Sequence, residues 1–130
     1  MSAVRSYMSA HVHTIGAEQP VSIAADVMRK HKIRHLPVLH GGQLVGVISE
    51  RDVALAEKLA PDGKAVTVQD IMSGEPYTVS PDAPIAEVAR HMGEQRYGAA
   101  LVVDKHDKLM GVFTTVDVCR ALAEVLGARK

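Results

Sequence analysis

The sequence predicts an α/β fold, an α+β sandwich of two tandem β-α-β-β-α units that pack on each other, and three observations predict it. First, the chain of 130 residues repeats: Val4-Arg5-Ser6-Tyr7-Met8 returns as Val68-Gln69-Asp70-Ile71-Met72, and Gly46-Val47-Ile48-Ser49-Glu50-Arg51-Asp52-Val53 as Gly111-Val112-Phe113-Thr114-Thr115-Val116-Asp117-Val118. Thr14/Thr78, Pro20/Pro84, Met28/Met92 and Val38/Val102 keep an offset of 64, and after one inserted residue near His106 the pairs Leu44/Leu109, Gly46/Gly111 and Asp52/Asp117 sit 65 apart. Second, each copy alternates a stretch of helical spacing with short apolar runs bounded by turn residues. Third, the period is long and occurs only twice, which argues for a duplicated domain rather than an open solenoid of about three or more units. A unit of half this length buries only about 60% of its unfolded surface, so each repeat is expected to need the other.

The elements follow in order. A weak first strand is expected around Thr14. Pro20 opens a helix carried by Val21, Ala24, Ala25, Val27 and Met28 to about His31. Leu36-Pro37-Val38-Leu39 and Leu44-Val45-Gly46-Val47-Ile48 are strands split by His40-Gly41-Gly42-Gln43, the pattern of a tight hairpin. A second helix runs from about Glu50 to Ala60. The second copy spells the same order: a strand around Thr78, a helix from Pro84 to about Glu94, strands Ala99 to Val103 and Lys108 to Phe113 around the turn Lys105-His106-Asp107, and a helix from Thr115 to Leu126. The expected units are therefore 4–60 and 68–126 with a linker at 61–67, where Pro61-Asp62-Gly63-Lys64 breaks the pattern. Only Gly127 to Lys130 are expected to fray.

Composition excludes several functions. Lys and Arg total 15 against 15 Asp and Glu, so no sequence-wide basic field recruits nucleic acid or anionic lipid. No apolar run approaches the roughly 20 residues that span a bilayer, and the first residues lack the apolar stretch of a signal peptide, so the chain reads as soluble and cytoplasmic. Cys119 is the only cysteine, which leaves neither an intrachain disulfide nor a thiolate cluster and is expected to be a buried small hydrophobe. His11-x-His13 invites a metal reading, but two imidazoles need further ligands that no motif supplies, so solvated or hydrogen-bonded histidines and no metal are expected. No nucleophile with a paired base, phosphate loop or dinucleotide fingerprint is present, and a non-enzyme is expected.

The most specific local signal is Gly-h-h-Ser/Thr-x-x-Asp, with h apolar, at Gly46 to Asp52 and Gly111 to Asp117. Ser49 and Thr114 end a strand and open a helix, where unpaired N–H groups and the helix dipole favour a phosphate. Asp52 and Asp117, three residues on, can accept hydrogen bonds from a vicinal diol such as ribose. The same residues also spell a capping box that needs no ligand. Both readings can hold, because a capping carboxylate retains lone pairs.

Ile33-Arg34-His35-Leu36-Pro37-Val38, the Gly-rich turn, Leu44 to Asp52 and the tandem arrangement resemble the cystathionine-β-synthase-type (CBS) domain pair, also called a Bateman module, over roughly Val4 to Ala123. The resemblance implies two units packed through their sheets, leaving two clefts for an adenosine compound, AMP or ATP foremost and NAD or S-adenosylmethionine as alternatives. It also implies a homodimer that regulates an unidentified partner protein. By the same resemblance the first cleft holds Thr14, Ile33, Arg34, His35, Pro37, Ser49, Arg51 and Asp52, and the second Thr78, Tyr97, Gly98, Ala99, Thr114 and Asp117. Arg34, His35 and Arg51 match family phosphate contacts, whereas Gly98, Ala99 and Val116 stand at those positions in the second copy. The first cleft is therefore expected to be the better phosphate site. His35, beside that phosphate, would make binding pH-sensitive.

Overall fold

The structure, a computed structural model, describes residues 2–60 and 66–128. It divides into a continuous compact unit, His13–Pro76, and a composite one, Met1–Val12 with Tyr77–Lys130. Each carries one three-stranded sheet and its own helices. Among the described residues no helix is long and apolar enough to cross a membrane. Most of the expected linker, including Pro61 to Lys64, lies outside the described residues, as do Arg129 and Lys130 of the expected frayed tail.

In the continuous unit the order is β1 (Ile15–Gly16), α1 (Val21–His31), β2 (His35–His40), β3 (Gln43–Ser49), α2 (Glu50–Leu59) and the short α3 (Val68–Ile71). Helix α1 buries Val21, Ala24, Ala25 and Met28, an i, i+3, i+4, i+7 stripe, against Leu36, Val38 and Ile48 of the sheet. It closes with Lys32 in the left-handed region (φ 54°), and Ile33 N–H donates back to the Met28 carbonyl at 3.0 Å. That closure turns the chain sharply into β2. Strands β2 and β3 pair antiparallel from His35↔Ser49 to His40↔Gln43 around Gly41 and Gly42, whose φ values of 57° and 80° suit a tight hairpin.

The composite unit repeats this plan with β4 (Thr78–Val79), α4 (Ile85–Gln95), β5 (Ala99–Val103), β6 (Leu109–Thr114) and α5 (Thr115–Gly127). Arg96 takes the left-handed closure of α4 (φ 61°), and Tyr97 N–H donates to the Met92 carbonyl at 2.9 Å. The hairpin between β5 and β6 is held by Asp104, whose Oδ1 accepts from the N–H groups of His106 and Lys108 at 2.8 and 3.0 Å. These bonds hold the Asp104 carboxyl below its usual range.

The sequence repeat and the compact unit are out of phase. Helix α3, the head of the second repeat, places Val68 in the core of the continuous unit, with Val68 N–H on the Gln19 carbonyl at 2.8 Å and Gln69 N–H on the Ala17 carbonyl at 2.9 Å. A 3₁₀ turn at Val4–Ser6, the head of the first repeat, places Val4 with Phe113, Val88 and Met92 in the composite core. Glycine makes the exchange possible. A Cβ at Gly46 would stand 2.5 Å from the Ser73 carbonyl oxygen and 2.7 Å from Met72 Sδ, and one at Gly111 would stand 2.7 Å from Met8 Sδ and 2.8 Å from the Ser9 carbonyl oxygen. Ser73 bridges to Val47 and Ser9 to Val112, so each returning segment also satisfies a backbone edge of β3 or β6.

The weak first strands stand around Thr14 and Thr78 as expected but start differently in the two units, and one expectation, the burial of Cys119, changes. Thr14 lies one residue ahead of β1, whereas Thr78 lies within β4. Leu101 N–H donates to the Tyr77 carbonyl at 2.8 Å and starts the β4 pairing at Thr78↔Leu101. Pro37 holds the matched position and has no N–H to donate, so the parallel pairing starts later, at Ile15↔Val38. Cys119 is exposed on α5 rather than buried, because the buried positions of that helix are Asp117 and Ala121.

Candidate functional site

All eight residues of the first set lie in the continuous unit and all six of the second set in the composite unit. Within the continuous unit the ladder sets His35 directly opposite Ser49, and Glu50 N–H donates to the Arg34 carbonyl at 2.8 Å. The start of β2 is thereby clamped to the start of α2. Ser49 and Asp52 cap that helix reciprocally: Ser49 N–H donates to Asp52 Oδ2 at 2.9 Å and Asp52 N–H to Ser49 Oγ at 3.1 Å. The N–H groups of Ser49, Glu50 and Asp52 are thus engaged within the protein. The open anion cradle expected at this helix terminus is largely filled by the protein's own oxygens, so an anion there would turn to side-chain cations.

Those cations are present. Arg34 and Arg51 are exposed, and His35 is half-buried at the end of β2. Burial pushes the His35 imidazole below its ordinary value and Arg34 adds to this, while the carboxylates of Asp52 and Glu50 pull the other way. Asp52 is half-buried, and among the described residues its Oδ1 accepts no hydrogen bond. No hydrogen bond joins His35 to Ser49 or Asp52 among the described residues. Pro37 is fully buried opposite Val47. Thr14 is exposed at the lead-in to β1.

The composite unit repeats the scaffold with different chemistry. Ala99 lies opposite Thr114, and Thr115 N–H donates to the Gly98 carbonyl at 3.2 Å. Asp117 Oδ2 accepts from Thr114 N–H at 2.9 Å and from the Thr114 hydroxyl at 3.3 Å, and Asp117 Oδ1 pairs with the Arg120 guanidinium at 3.1 Å. Asp117 is only 5% exposed and is the single buried charged residue among those described. Thr78 and Tyr97 are exposed. Around them sits an aromatic group that sequence reasoning missed: ring centroids lie 4.5 Å apart for Tyr77 and His91, 5.6 Å for Tyr77 and Tyr97, and 5.8 Å for His91 and Tyr97. Scarcity was the available signal, since the chain has three Tyr, one Phe and no Trp, and two of these rings flank Thr78 and Gly98.

A cleft of about 400 Å³ opens between α1 and α2 of the continuous unit, with Met28, Ile33 and Val53 among its apolar lining and Arg29, Lys32, Arg34, Glu50 and Glu57 as its charged lining. It takes in Ile33 and Arg34 from the first set, while Thr14, His35, Pro37, Ser49, Arg51 and Asp52 stand outside it. His13 stacks on His31, with centroids 3.6 Å apart and planes at 16°. Among the described residues no three or more His, Cys, Asp or Glu side chains cluster as metal ligands do.

Comparison with known proteins places this geometry. Residues 4–58 and 68–124 each match the family model of the CBS domain. The inosine-5'-monophosphate dehydrogenase of Korarchaeum cryptofilum is 34% identical over 113 residues, which cover 87% of this chain and 23% of that enzyme. The chain spans about a quarter of the length of the first curated relatives it matches. Among solved structures, the CBS domain pair of protein MJ0100 in complex with 5'-methylthioadenosine and S-adenosyl-L-methionine superposes with a TM-score of 0.85 at 30% identity, covering 100% of this chain and 99% of that one. CBSX2 of Arabidopsis thaliana in complex with AMP superposes with a TM-score of 0.83 at 26% identity, covering 96% and 98%.

Proposed function

The chain belongs to the CBS-domain family, and from that premise we propose that it is a non-catalytic regulatory sensor of an adenosine-containing ligand, signalling to a partner protein through the conformation of a homodimer. The ligand is an adenosine compound, AMP or ATP foremost, with NAD and S-adenosylmethionine as the other members of the class. The observation that carries the proposal is the Asp52 carboxylate: one oxygen caps α2, and the other is left to accept a ribose hydroxyl, with Arg51 beside it on α2 and Arg34 and His35 at the start of β2, which is clamped to α2. Ile33 to Pro37 supplies the backbone and apolar surface for the adenine, and Ser49 and Thr14 close the site. Relatives of similar fold in complex with AMP and with S-adenosyl-L-methionine support the ligand class. Leu122, Val125 and Leu126 form an exposed i, i+3, i+4 apolar face on α5, which supports pairing with a second copy. A thermal-shift series with AMP, ATP, NAD and S-adenosylmethionine tests the sensor: a ligand of the native state at a hundred times its Kd raises stability by about 2.7 kcal/mol.

One observation favours a second reading. Both aspartates are already helix caps, so the fold would stand as a ligand-free scaffold for oligomerisation or partner binding. No shift with any of the four compounds selects that reading.

A further inference from the structure

We infer that the two residue sets take ligands of different charge: the set in the continuous unit takes a phosphate-bearing adenosine, and the set in the composite unit takes an uncharged nucleoside that stacks on Tyr97. This inference rests on the adenosine reading above and assigns each set its own ligand class.

The matched positions carry the argument. Where the continuous unit has Arg34, His35 and Arg51, the composite unit has Gly98, Ala99 and Val116, so three groups that can hold a phosphate are replaced by none. Of the cations near this set, Arg120 is engaged at 3.1 Å by Asp117 Oδ1, and the exposed Arg96, next to Tyr97, is matched by Lys32 in the continuous unit and so does not offset the loss. An anion entering there would have to compete with a nearly buried carboxylate for the Arg120 guanidinium. Glu87 adds to the bias. It stands where the continuous unit has Ile23, and its charge helps burial push the Tyr77 hydroxyl upward, which places a carboxylate beside the aromatic group.

What the composite unit gains is π surface. Tyr77, His91 and Tyr97 replace His13, Val27 and Ile33 of the continuous unit. Tyr77 and His91 are half-buried and lie tilted against the ring of Tyr97, which is 40% exposed. A ring already packed against its neighbours loses little freedom when a base lies on it, and stacking tolerates any purine because it reads no charge. The continuous unit has the opposite balance, with an aliphatic Ile33 and the cations Arg34 and Arg51.

The test is calorimetric titration of the full chain with adenosine and with AMP, at low and high salt, in wild type, R34A/R51A, Y97A and Y97F. The double arginine variant should lose about tenfold in AMP affinity and leave adenosine unchanged. Tyr97→Ala should lose about tenfold in adenosine affinity and leave AMP unchanged, while Tyr97→Phe, which keeps the ring, should bind adenosine as wild type does. Salt should weaken AMP alone. Equal losses for both ligands in either variant, or competition of adenosine with AMP for a single set, overturn the division while leaving the adenosine reading in place. Binding of neither by wild type removes the adenosine reading and this inference with it.

Discussion

Asp117 pairs with Arg120 at 3.1 Å across one turn of α5, whereas the residue three positions beyond Asp52 on α2 is Leu55. Two carboxylates with the same cap therefore differ in what their second oxygen does. Asp117 spends both oxygens on the fold, and Asp52 spends one.

Substitution should separate the two. Asp117→Ala removes a cap and a partly buried ion pair and should cost about 2 kcal/mol in urea denaturation, while Asp52→Ala should cost about 1 kcal/mol, the ordinary value of a cap. Ligand binding should rank the other way, with Asp52→Ala weakening an adenine nucleotide far more than Asp117→Ala in calorimetry. Equal losses of affinity would remove the ranking of the two sets.

The glycines give a second contrast. Gly46→Ala and Gly111→Ala each drive a Cβ into backbone and a methionine sulfur at under 3 Å, and each should destabilise by about 2 kcal/mol. Gly93, inside α4, has nothing within 4 Å of its would-be Cβ, so Gly93→Ala should stabilise by about 0.5–1 kcal/mol. Thermal denaturation of the three variants checks both signs at once.

The exchange of segments between repeats predicts where a mutation is felt. Val68→Ala empties part of the core around Leu36, Val38 and Ile48, although Val68 belongs to the second repeat by sequence. It should cost about 2 kcal/mol and lower amide-exchange protection in β2 and β3 first. Val4→Ala should do the same to β5 and β6. Protection lost in the mutated residue's own sequence repeat would contradict the exchange.

These cases show what the sequence carries and what it does not. Helices α1 and α4 were legible because an apolar stripe after Pro20 or Pro84 is a local signal, and the hairpin because Gly41 and Gly42 permit the positive φ values their turn requires. The start of β1 was not legible, since it depends on a missing donor at Pro37, more than twenty residues away in sequence. Val4–Ser6 and Val68–Ile71 are too short for any periodicity, and their exchange is a tertiary fact that only the repeated glycines hinted at. At the candidate site, the cap residues followed from their spacing. The filling of the helix terminus, the stack of His13 on His31 and the aromatic group around Tyr97 depend on side chains meeting from separate elements.

His35 supplies a pH test with a definite sign. Burial holds its imidazole below 6.5, the ordinary value, so native and unfolded chains differ in proton uptake only on the acid side. Above 6.5 the group is neutral in both states and costs nothing. As the pH falls through 6.5 the unfolded chain takes up a proton that native His35 refuses, and stability declines until the pH has passed the lower native value. A phosphate placed beside the ring would oppose this by favouring the imidazolium. Histidine NMR titration should therefore find His35 below 6.5 in the free protein and higher with AMP bound. Calorimetry near pH 6.5 in buffers of different ionisation enthalpy should show proton uptake on binding that is reduced in His35→Asn, which separates this uptake from that of the nucleotide's own phosphate. A His35 titration that AMP leaves unmoved would place the phosphate away from the start of β2 and would shift the anion-binding role to Arg34 and Arg51 alone.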